Sequence, residues 1–211
     1  MILAVSERLF STLCGVPTHS KRFFNRSTVM VIAAARDEER RMLKSLFRER
    51  MRSHAVRGLS ILGSAPEPIF DRFVAAAANA FDAPIALLSL IHDDQQWFKA
   101  GHGLVIDCIP RDSGFCSFAL DRPEILETAD PQADPRFANL PVVAGEPYIR
   151  YYIGAPLRRV SGIDVGALCI LDTKRRSPAS ADQKAYLIGL ARQASTALEA
   201  RLDLLTRGAA A

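Results

Sequence analysis

The residue best suited to chemistry in this chain is Cys116, which follows Ser113-Gly-Phe near the predicted start of a short helix. The positive end of a helix dipole favours a thiolate, and the thiolate is the nucleophilic form of cysteine. A reactive or redox-sensing thiol is one interpretation, and a packed structural cysteine is the other. A second thiol close to Cys116 would favour the first, and Cys108 is the near candidate in sequence.

The remaining cysteines and the histidines do not form a metal-binding pattern. None of the four cysteines has CxxC spacing, and none groups with the four histidines as metal ligands do. Cys169 lies in an apolar strand, where a free thiol behaves as a small hydrophobe. His92 and His102 flank a predicted hairpin, as solvated histidines often do. We therefore expect no metal, no cofactor and no catalytic centre, since P-loop and GxSxG motifs are also missing from the sequence.

Two hairpins and two helices must position these residues. The apolar run after Pro84 ends at His92, and an aromatic run follows the polar turn, which indicates strand–turn–strand. Residues 148–159 and 165–172 form a second such pair. Apolar residues recur at helical spacing over 69–81, and a last helix begins at Ser180. Helices packed on a mostly antiparallel sheet give an α+β domain.

Charge is distributed unevenly along the chain. Residues 1–60 carry 12 Lys/Arg and 5 Asp/Glu, whereas residues 61–211 carry 15 and 18. The basic character belongs to the leader, so we expect no nucleic-acid partner for the domain. Residues 36–57 predict a basic amphipathic helix with apolar positions 43, 46, 47 and 51. A solvated leader helix, a membrane-surface or nucleic-acid contact, and a start codon at Met42 or Met51 all remain open.

These features predict a leader over residues 1–63, disordered or partly helical, a domain over 64–207, and a tail over 208–211. Residues 1–60 lack the period and the bounding turns of the domain, so we expect them to be dispensable for folding. The longest apolar run near the start falls short of the ~20 residues that a spanning helix needs. Cysteine usage fits a reducing compartment. We expect a cytoplasmic protein without integral membrane contact.

Five sequence blocks, in order and spacing, resemble the GAF domain, a small-molecule sensor module of bacterial signalling proteins, over roughly residues 66–205. The blocks are 84–104, 113–120, 133–137, 148–157 and 165–172. The resemblance implies an antiparallel sheet of five or six strands, with the N- and C-terminal helices on one face and a loop-roofed pocket on the other. It also implies sensing rather than catalysis.

The resemblance places a set of aromatic, charged and thiol side chains in that pocket. They are Trp97, Phe98, Phe115, Cys116, Phe118, Asp134, Arg136, Phe137, Tyr148, Arg150 and Tyr152. Each aromatic is either a ligand contact or part of the core. A guanidinium suits a carboxylate, a phosphate or a planar ring. Arg136 instead has an internal alternative, an ion pair with Asp130 or Asp134.

The last helix carries a heptad-like seam at Ile188, Ala191, Ser195, Leu198, Leu202 and Leu205. Leu187, Leu190, Ala194 and Ala197 form a neighbouring stripe. One stripe can cover the sheet while the other meets a partner helix, so we expect a homodimer. The chain ends without an output domain, so the effector is expected to be a separate protein such as a kinase or cyclase.

Three functions are compatible with these sequence features. The first is a GAF-type sensory or regulatory module that binds an unidentified small molecule without catalysis. The second is an interaction or dimerisation scaffold whose pocket is filled by its own aromatic residues. The third is a thiol redox switch, or an enzyme resembling methionine sulfoxide reductase, that uses Cys116. A roomy polar pocket favours the first function, and a closed pocket favours the second.

Overall fold

The structure is a computed structural model, and it describes residues 26–122 and 125–208. Within these residues there are four helices and six strands, and two short 3₁₀ helices lie between the third and fourth strands. The helices are α1 (Arg26–Gly58), α2 (Pro68–Phe81), α3 (Pro141–Ala144) and α4 (Ala181–Gly208). The strands are β1 (Ile85–His92), β2 (Gln95–His102), β3 (Cys108–Pro110), β4 (Leu126–Thr128), β5 (Tyr151–Arg158) and β6 (Asp164–Asp172).

The six strands form one antiparallel sheet in the order β3-β2-β1-β6-β5-β4. Both predicted hairpins are present, as β1–β2 and β5–β6, and their first and last strands pair at the centre. The expected α+β architecture is confirmed. None of the described helices is long and apolar enough to cross a membrane.

Each face of the sheet has its own core because successive strand residues point to opposite sides. On the helix face, Leu88 and Leu90 of β1 pack with α2 and α4 residues such as Phe70 and Leu198. On the other face, here called the roofed face, Leu87 and Ile91 pack under the segments that join β3 to β5. The helix face therefore consists of regular elements, and the roofed face of turns and short helices.

Two sequence features explain where the main helices begin and end. In α2, Pro68 occupies the first turn, where its missing N–H costs nothing, and Asp82 ends the helix in a left-handed conformation. Before α4, Ser180 Oγ accepts from Gln183 N–H at 3.1 Å, while Gln183 Oε1 accepts from Ser180 N–H at 3.0 Å. This reciprocal capping box confirms Ser180 as the residue that opens the last helix.

The compact body of the domain begins at Ser45. Val56, Leu59 and Ile61 are buried in its helix-face core. The end of the predicted leader is therefore part of the core, so the expected dispensability of residues 1–60 does not fit residues 52–60. Periodicity did not indicate this contribution because so short an apolar segment shows no sustained period.

A buried guanidinium fixes the end of α1 against the β5–β6 hairpin. Arg52 is only 1% exposed, and it donates to the Asp164 carbonyl and to Asp121 Oδ2, the latter at 2.7 Å. Glu49 also accepts from Arg52, at 3.3 Å. A buried charge is tolerated only when it is paired in this way. The predicted solvated leader helix is therefore solvated along part of its length only.

Candidate functional site

The roofed face holds a cluster of aromatic rings directly above the sheet. The Phe115 ring stacks on the Tyr152 ring, with centroids 4.7 Å apart and planes 14° apart. Phe137 contacts Phe115 at 5.2 Å, and Phe118 meets the edge of Phe137 at 5.2 Å. Phe115, Phe137 and Tyr152 are at most 2% exposed. These four predicted site residues are thus brought together, and they pack against one another.

Three different segments supply these rings. Tyr152 comes from β5, and Phe115 directly precedes the 3₁₀ helix Cys116–Ala119. Phe137 closes a turn in which its own N–H donates to the Asp134 carbonyl at 2.9 Å. A side chain on Gly154 would collide with the Tyr152 hydroxyl, so glycine is needed there. The sheet holds Tyr152 in place, and short segments hold the two phenylalanines.

Tyr152 also belongs to a group of buried polar side chains on the roofed face. Cys116 Sγ is 3.6 Å from Cys169 Sγ, and the Tyr152 hydroxyl donates to Cys116 Sγ at 3.7 Å. Ser89 Oγ donates to the Ala167 carbonyl at 3.3 Å. Gln96 is 2% exposed, and its Oε1 has no hydrogen-bond partner among the described residues. We call Ser89, Gln96, Cys116, Tyr152 and Cys169 the polar cluster.

The environment differentiates the two thiols. The hydrogen bond to Cys169 lowers the pKa of Cys116, burial opposes this, and hydrogen bonds with Ser89, Tyr152 and Gln96 lower it further. The hydrogen bond to Cys116, reinforced by burial, raises the pKa of Cys169 well above its usual range. Cys116 is thus the more acidic thiol of the pair. The cause is its neighbours, because a four-residue 3₁₀ helix offers little of the helix dipole that the sequence led us to expect.

Both predicted arginines have partners within the chain. Arg136 forms an ion pair with Asp134 at 2.6 Å and lies over the Phe137 ring at 4.6 Å. This is one of the internal pairs expected for Arg136, and it raises the pKa of the guanidinium. Arg150 donates to the carbonyls of Val143 and Ile149 at 2.9 and 3.0 Å. Arg136 borders the aromatic cluster, whereas Arg150 holds the roof backbone.

Three other predicted site residues lie at or beyond the border of the cluster. Phe98 packs against the roofed-face core, and Tyr148 is 49% exposed. Trp97 does not belong to the site. It pairs with Leu90, which is part of the helix-face core, and cross-strand partners share a face. An irregularity in the β1–β2 register between Leu88 and Ser89 makes such assignments hard to derive from simple alternation.

The predicted dimer seam is largely inside the domain. Ala191, Ser195 and Leu198 are at most 5% exposed, and Ala191 and Leu198 belong to the helix-face core. Ile188 and Leu202 are half-buried, and Leu205 is 47% exposed. The neighbouring stripe at Leu187, Leu190 and Ala194 is buried too. Both stripes cover the sheet and α2, so the seam as predicted is wrong, while the oligomeric state stays a prediction.

Three members of the polar cluster, Ser89, Gln96 and Cys169, were not predicted from the sequence. Ser89 shares its face with Leu87 and Ile91, and Cys169 pairs with Leu87 across the strands. Period-two alternation within β1 would have placed Ser89 on this face. The proximity of Cys169 to Cys116 could be predicted only with the strand order, which places β6 beside β1. The second thiol is therefore Cys169, and Cys108, the near candidate in sequence, is exposed on β3.

Two open clefts lie elsewhere on the domain. The larger, about 580 Å³, runs between α1 and the β5–β6 turn, and Phe47, Met51 and Arg158 contribute to its walls. The smaller, about 310 Å³, lies beside β2, where Trp97, Phe98 and Lys99 line it. Neither cleft reaches the polar cluster. Cys14 lies outside the described residues, which include no group of three His, Cys, Asp or Glu suited to a metal ion.

Comparison with known proteins decides the family. The sequence model of the GAF domain family matches residues 65–198. The chain belongs to the GAF domain family. The match covers more than half of the chain and coincides with the sheet, the roof and the first part of α4. The protein thus carries a sensory or regulatory module of signal transduction.

One curated relative extends this comparison. A cyclic di-GMP phosphodiesterase of Pseudomonas aeruginosa is 40% identical over 144 residues, which are 68% of this chain and 24% of that protein. The chain thus matches about a quarter of the length of this relative.

Solved GAF structures share the fold. The GAF domain of an Acinetobacter phosphoenolpyruvate-protein phosphotransferase superposes with a TM-score of 0.55 at 16% identity, over 76% of this chain and 96% of that one. The blue-light-absorbing form of the PixJ GAF domain of Thermosynechococcus elongatus gives 0.52 at 18% identity, over 68% and 89%. At this identity the likeness shows the architecture alone.

Proposed function

We propose that this GAF domain is a non-catalytic sensor that binds a small molecule on its roofed face, at the polar cluster. One observation carries the proposal: Gln96 is buried under the roof, and its amide oxygen has no partner among the described residues. A buried acceptor without a donor costs about 1–3 kcal/mol. An apolar residue at this position would avoid that cost. A ligand that donates a hydrogen bond to the Gln96 oxygen would remove it and would account for the amide.

The surroundings of Gln96 indicate the kind of ligand. The Gln96 oxygen lies next to Gly114 of the roof, and the following residue, Phe115, stacks on Tyr152. The Arg136 guanidinium lies over Phe137. Aromatic faces and a planar guanidinium favour a flat molecule. The ligand would enter by displacing a roof phenylalanine, since those rings occupy the space. We therefore propose a planar small molecule that carries a hydrogen-bond donor.

The proposed output is the turnover of cyclic di-GMP. Support comes from the relative that is named a cyclic di-GMP phosphodiesterase, part of which this chain matches at 40% identity. In this proposal the GAF domain regulates a phosphodiesterase of this kind. The phosphodiesterase is either a separate effector protein or a domain attached to the GAF domain. The domain itself neither makes nor hydrolyses the nucleotide.

Native mass spectrometry of the purified chain tests ligand binding, with Gln96→Leu and Gln95→Leu as matched variants. Gln95 precedes Gln96 on β2 and points to the opposite face. We expect a non-covalent small-molecule adduct on the wild type and on Gln95→Leu, and its loss from Gln96→Leu. If the wild type retains no adduct, dialysis against adenine and guanine nucleotides, cyclic di-GMP included, follows. Failure to bind there, or equal binding by both variants, would refute the proposal.

A second candidate function is an interaction scaffold, because the roof is closed and another surface is apolar. Leu46, Phe47 and Met51 of α1 are 57%, 65% and 39% exposed. A homodimer formed through this face would bury them. Light scattering on Phe47→Glu, with Arg50→Glu as control, separates the two functions. A dimer that only Phe47→Glu dissociates, without any retained ligand, would favour the scaffold.

A further inference from the structure

Two thiols lie in contact on the roofed face, one in a central strand of the sheet and the other in a short helix of the roof. Cys169 belongs to β6 and is paired with Leu87 of β1 and Gly154 of β5. Cys116 begins a four-residue 3₁₀ helix of the roof. Their sulfur atoms are 3.6 Å apart, and both side chains are at most 2% exposed. Among the described cysteines, only Cys108 is exposed.

We infer that Cys116 and Cys169 are a peroxide-sensitive dithiol, which closes to a disulfide and makes the roofed face a redox input site. The inference does not depend on a small-molecule ligand, so it can hold where the proposed ligand binding fails. Cys169 is then the resolving thiol, which attacks the oxidised Cys116. The fold brings these two residues together although they are 53 positions apart in the sequence.

The reaction balances with hydrogen peroxide as the oxidant. The Cys116 thiolate attacks one peroxide oxygen, the O–O bond breaks, and one water leaves after protonation, giving a sulfenic acid. The Cys169 sulfur then attacks the Cys116 sulfur, the S–O bond breaks, and a second water leaves. Two thiols lose two electrons in total, and one peroxide becomes two waters. Cys116 takes the first step because the hydrogen bond to Cys169 lowers its pKa.

Closing the bond requires a small movement of the roof. A disulfide has sulfur atoms about 2.05 Å apart, so the present contact must shorten by roughly 1.5 Å. Cys169 is held by strands on both sides, which leaves Cys116 to move. Phe115 precedes Cys116 and stacks on Tyr152, so the movement shifts the aromatic cluster. Peroxide is close to water in size, and local opening of the short roof segments admits it.

Disulfide mapping after peroxide treatment tests this inference on the full chain. The reduced protein is treated with hydrogen peroxide, remaining thiols are blocked with N-ethylmaleimide during unfolding, and peptides are mapped without reduction. We expect one internal Cys116–Cys169 cross-link, a mass decrease of two hydrogens, and reversal by dithiothreitol. Cys116→Ser and Cys169→Ala should each abolish the cross-link, whereas Cys108→Ser should leave its yield unchanged.

The wild-type map decides the matter even if a variant fails to fold. The inference is overturned if peroxide leaves both buried cysteines free for N-ethylmaleimide, or if Cys108 or Cys14 forms the dominant disulfide. It is also overturned if Cys116 proceeds to sulfinic acid without a cross-link. Equal cross-link yield in native buffer and in 6 M guanidinium would show that the fold does not direct the pairing, and would overturn it too.

Discussion

The two faces of the sheet differ in the residues that line them and in the segments that cover them. The helix face joins aliphatic and alanine side chains of α2 and α4 to β1, β5 and β6, including Val74, Ala78 and Leu187. The roofed face holds stacked rings, two thiols, a serine and a glutamine under short segments. Among the described residues each side leaves one buried polar atom without a partner, Trp97 Nε1 beside the helix-face core and Gln96 Oε1 under the roof. The faces differ in what covers them, because long helices cover the first, and turns and short 3₁₀ helices cover the second.

This difference separates stability from response. A close-packed aliphatic layer between regular elements has few alternative arrangements, so it holds the sheet in place. A roof of turns and 3₁₀ helices can open locally at small cost. Neighbouring residues on β5 show the division: the Tyr151 hydroxyl donates to Glu127 at 2.9 Å, whereas the Tyr152 hydroxyl has only a cysteine sulfur at 3.7 Å.

The largest expected effect concerns the N-terminal boundary of the helix face. A chain that starts at Ser45 should keep a cooperative thermal transition, whereas a chain that starts at Ser64 loses Val56, Leu59 and Ile61 from the core. Each buried aliphatic side chain contributes about 2 kcal/mol, so the loss is about 6 kcal/mol. Calorimetry of both truncations measures it. Equal transitions would show that residues 45–63 are not part of the stable core.

Leu198→Glu should cause the next largest loss of stability, because Leu198 is 1% exposed within the helix-face core. Burying a carboxylate there should lower the free energy of unfolding by about 4 kcal/mol. Leu204→Glu is the matched control, since Leu204 lies on the same helix and is 72% exposed. Denaturant unfolding measures both variants. A folded Leu198→Glu protein that differs only in its oligomeric state would restore the dimer seam.

Phenylalanine truncation compares the faces with one chemical change. Phe70 of the helix face and Phe137 of the roofed face are both fully buried. We expect Phe70→Ala to cost about 4 kcal/mol and Phe137→Ala about 3 kcal/mol, because roof segments relax into the void more readily. Urea unfolding midpoints provide the measurement. A greater loss from Phe137→Ala would reverse the assignment of rigid and adaptable faces.

The smallest effects come from removing the two tyrosine hydroxyls. Tyr151→Phe deletes a hydrogen bond to a carboxylate and should cost about 2 kcal/mol, whereas Tyr152→Phe should cost about 0.5 kcal/mol. Chemical denaturation at neutral pH should resolve this order. If Tyr152→Phe costs as much as Tyr151→Phe, the roofed face depends on its polar contacts as strongly as the helix face does.

The same pair gives a pH dependence. Burial, with the nearby Glu127 carboxylate for Tyr151 and the Cys116 sulfur for Tyr152, raises the pKa of each phenol. The folded state thus favours the neutral phenol, and the stabilisation is complete below the unfolded pKa near 10 and lost as pH rises above it. Unfolding free energies between pH 8 and 11 should fall less steeply for the double phenylalanine variant. An unchanged slope would contradict these shifts.

Sequence patterns predicted the fold better than the site. Hairpins, the α2 stripe and the Ser180 cap are local signals, and the structure contains all three. The polar cluster depends on strand order and on a register irregularity beside Ser89, which local patterns do not encode. For the same reason Cys169 looked like an inert core residue, although the sheet places it against Cys116. The seam in α4 failed because a helix that covers both the sheet and α2 needs two apolar stripes.

Native-state hydrogen exchange, resolved by NMR, tests the central claim that the roofed face opens while the helix face stays closed. The informative roof amides are hydrogen-bonded ones, such as Phe118 to Phe115, Leu140 to Phe137 and Ile149 to Val142. We predict that they exchange through local openings that are insensitive to urea. Amides within α2 and α4 should exchange only by global unfolding. Equal opening free energies on both faces, or faster exchange in α2, would contradict the account.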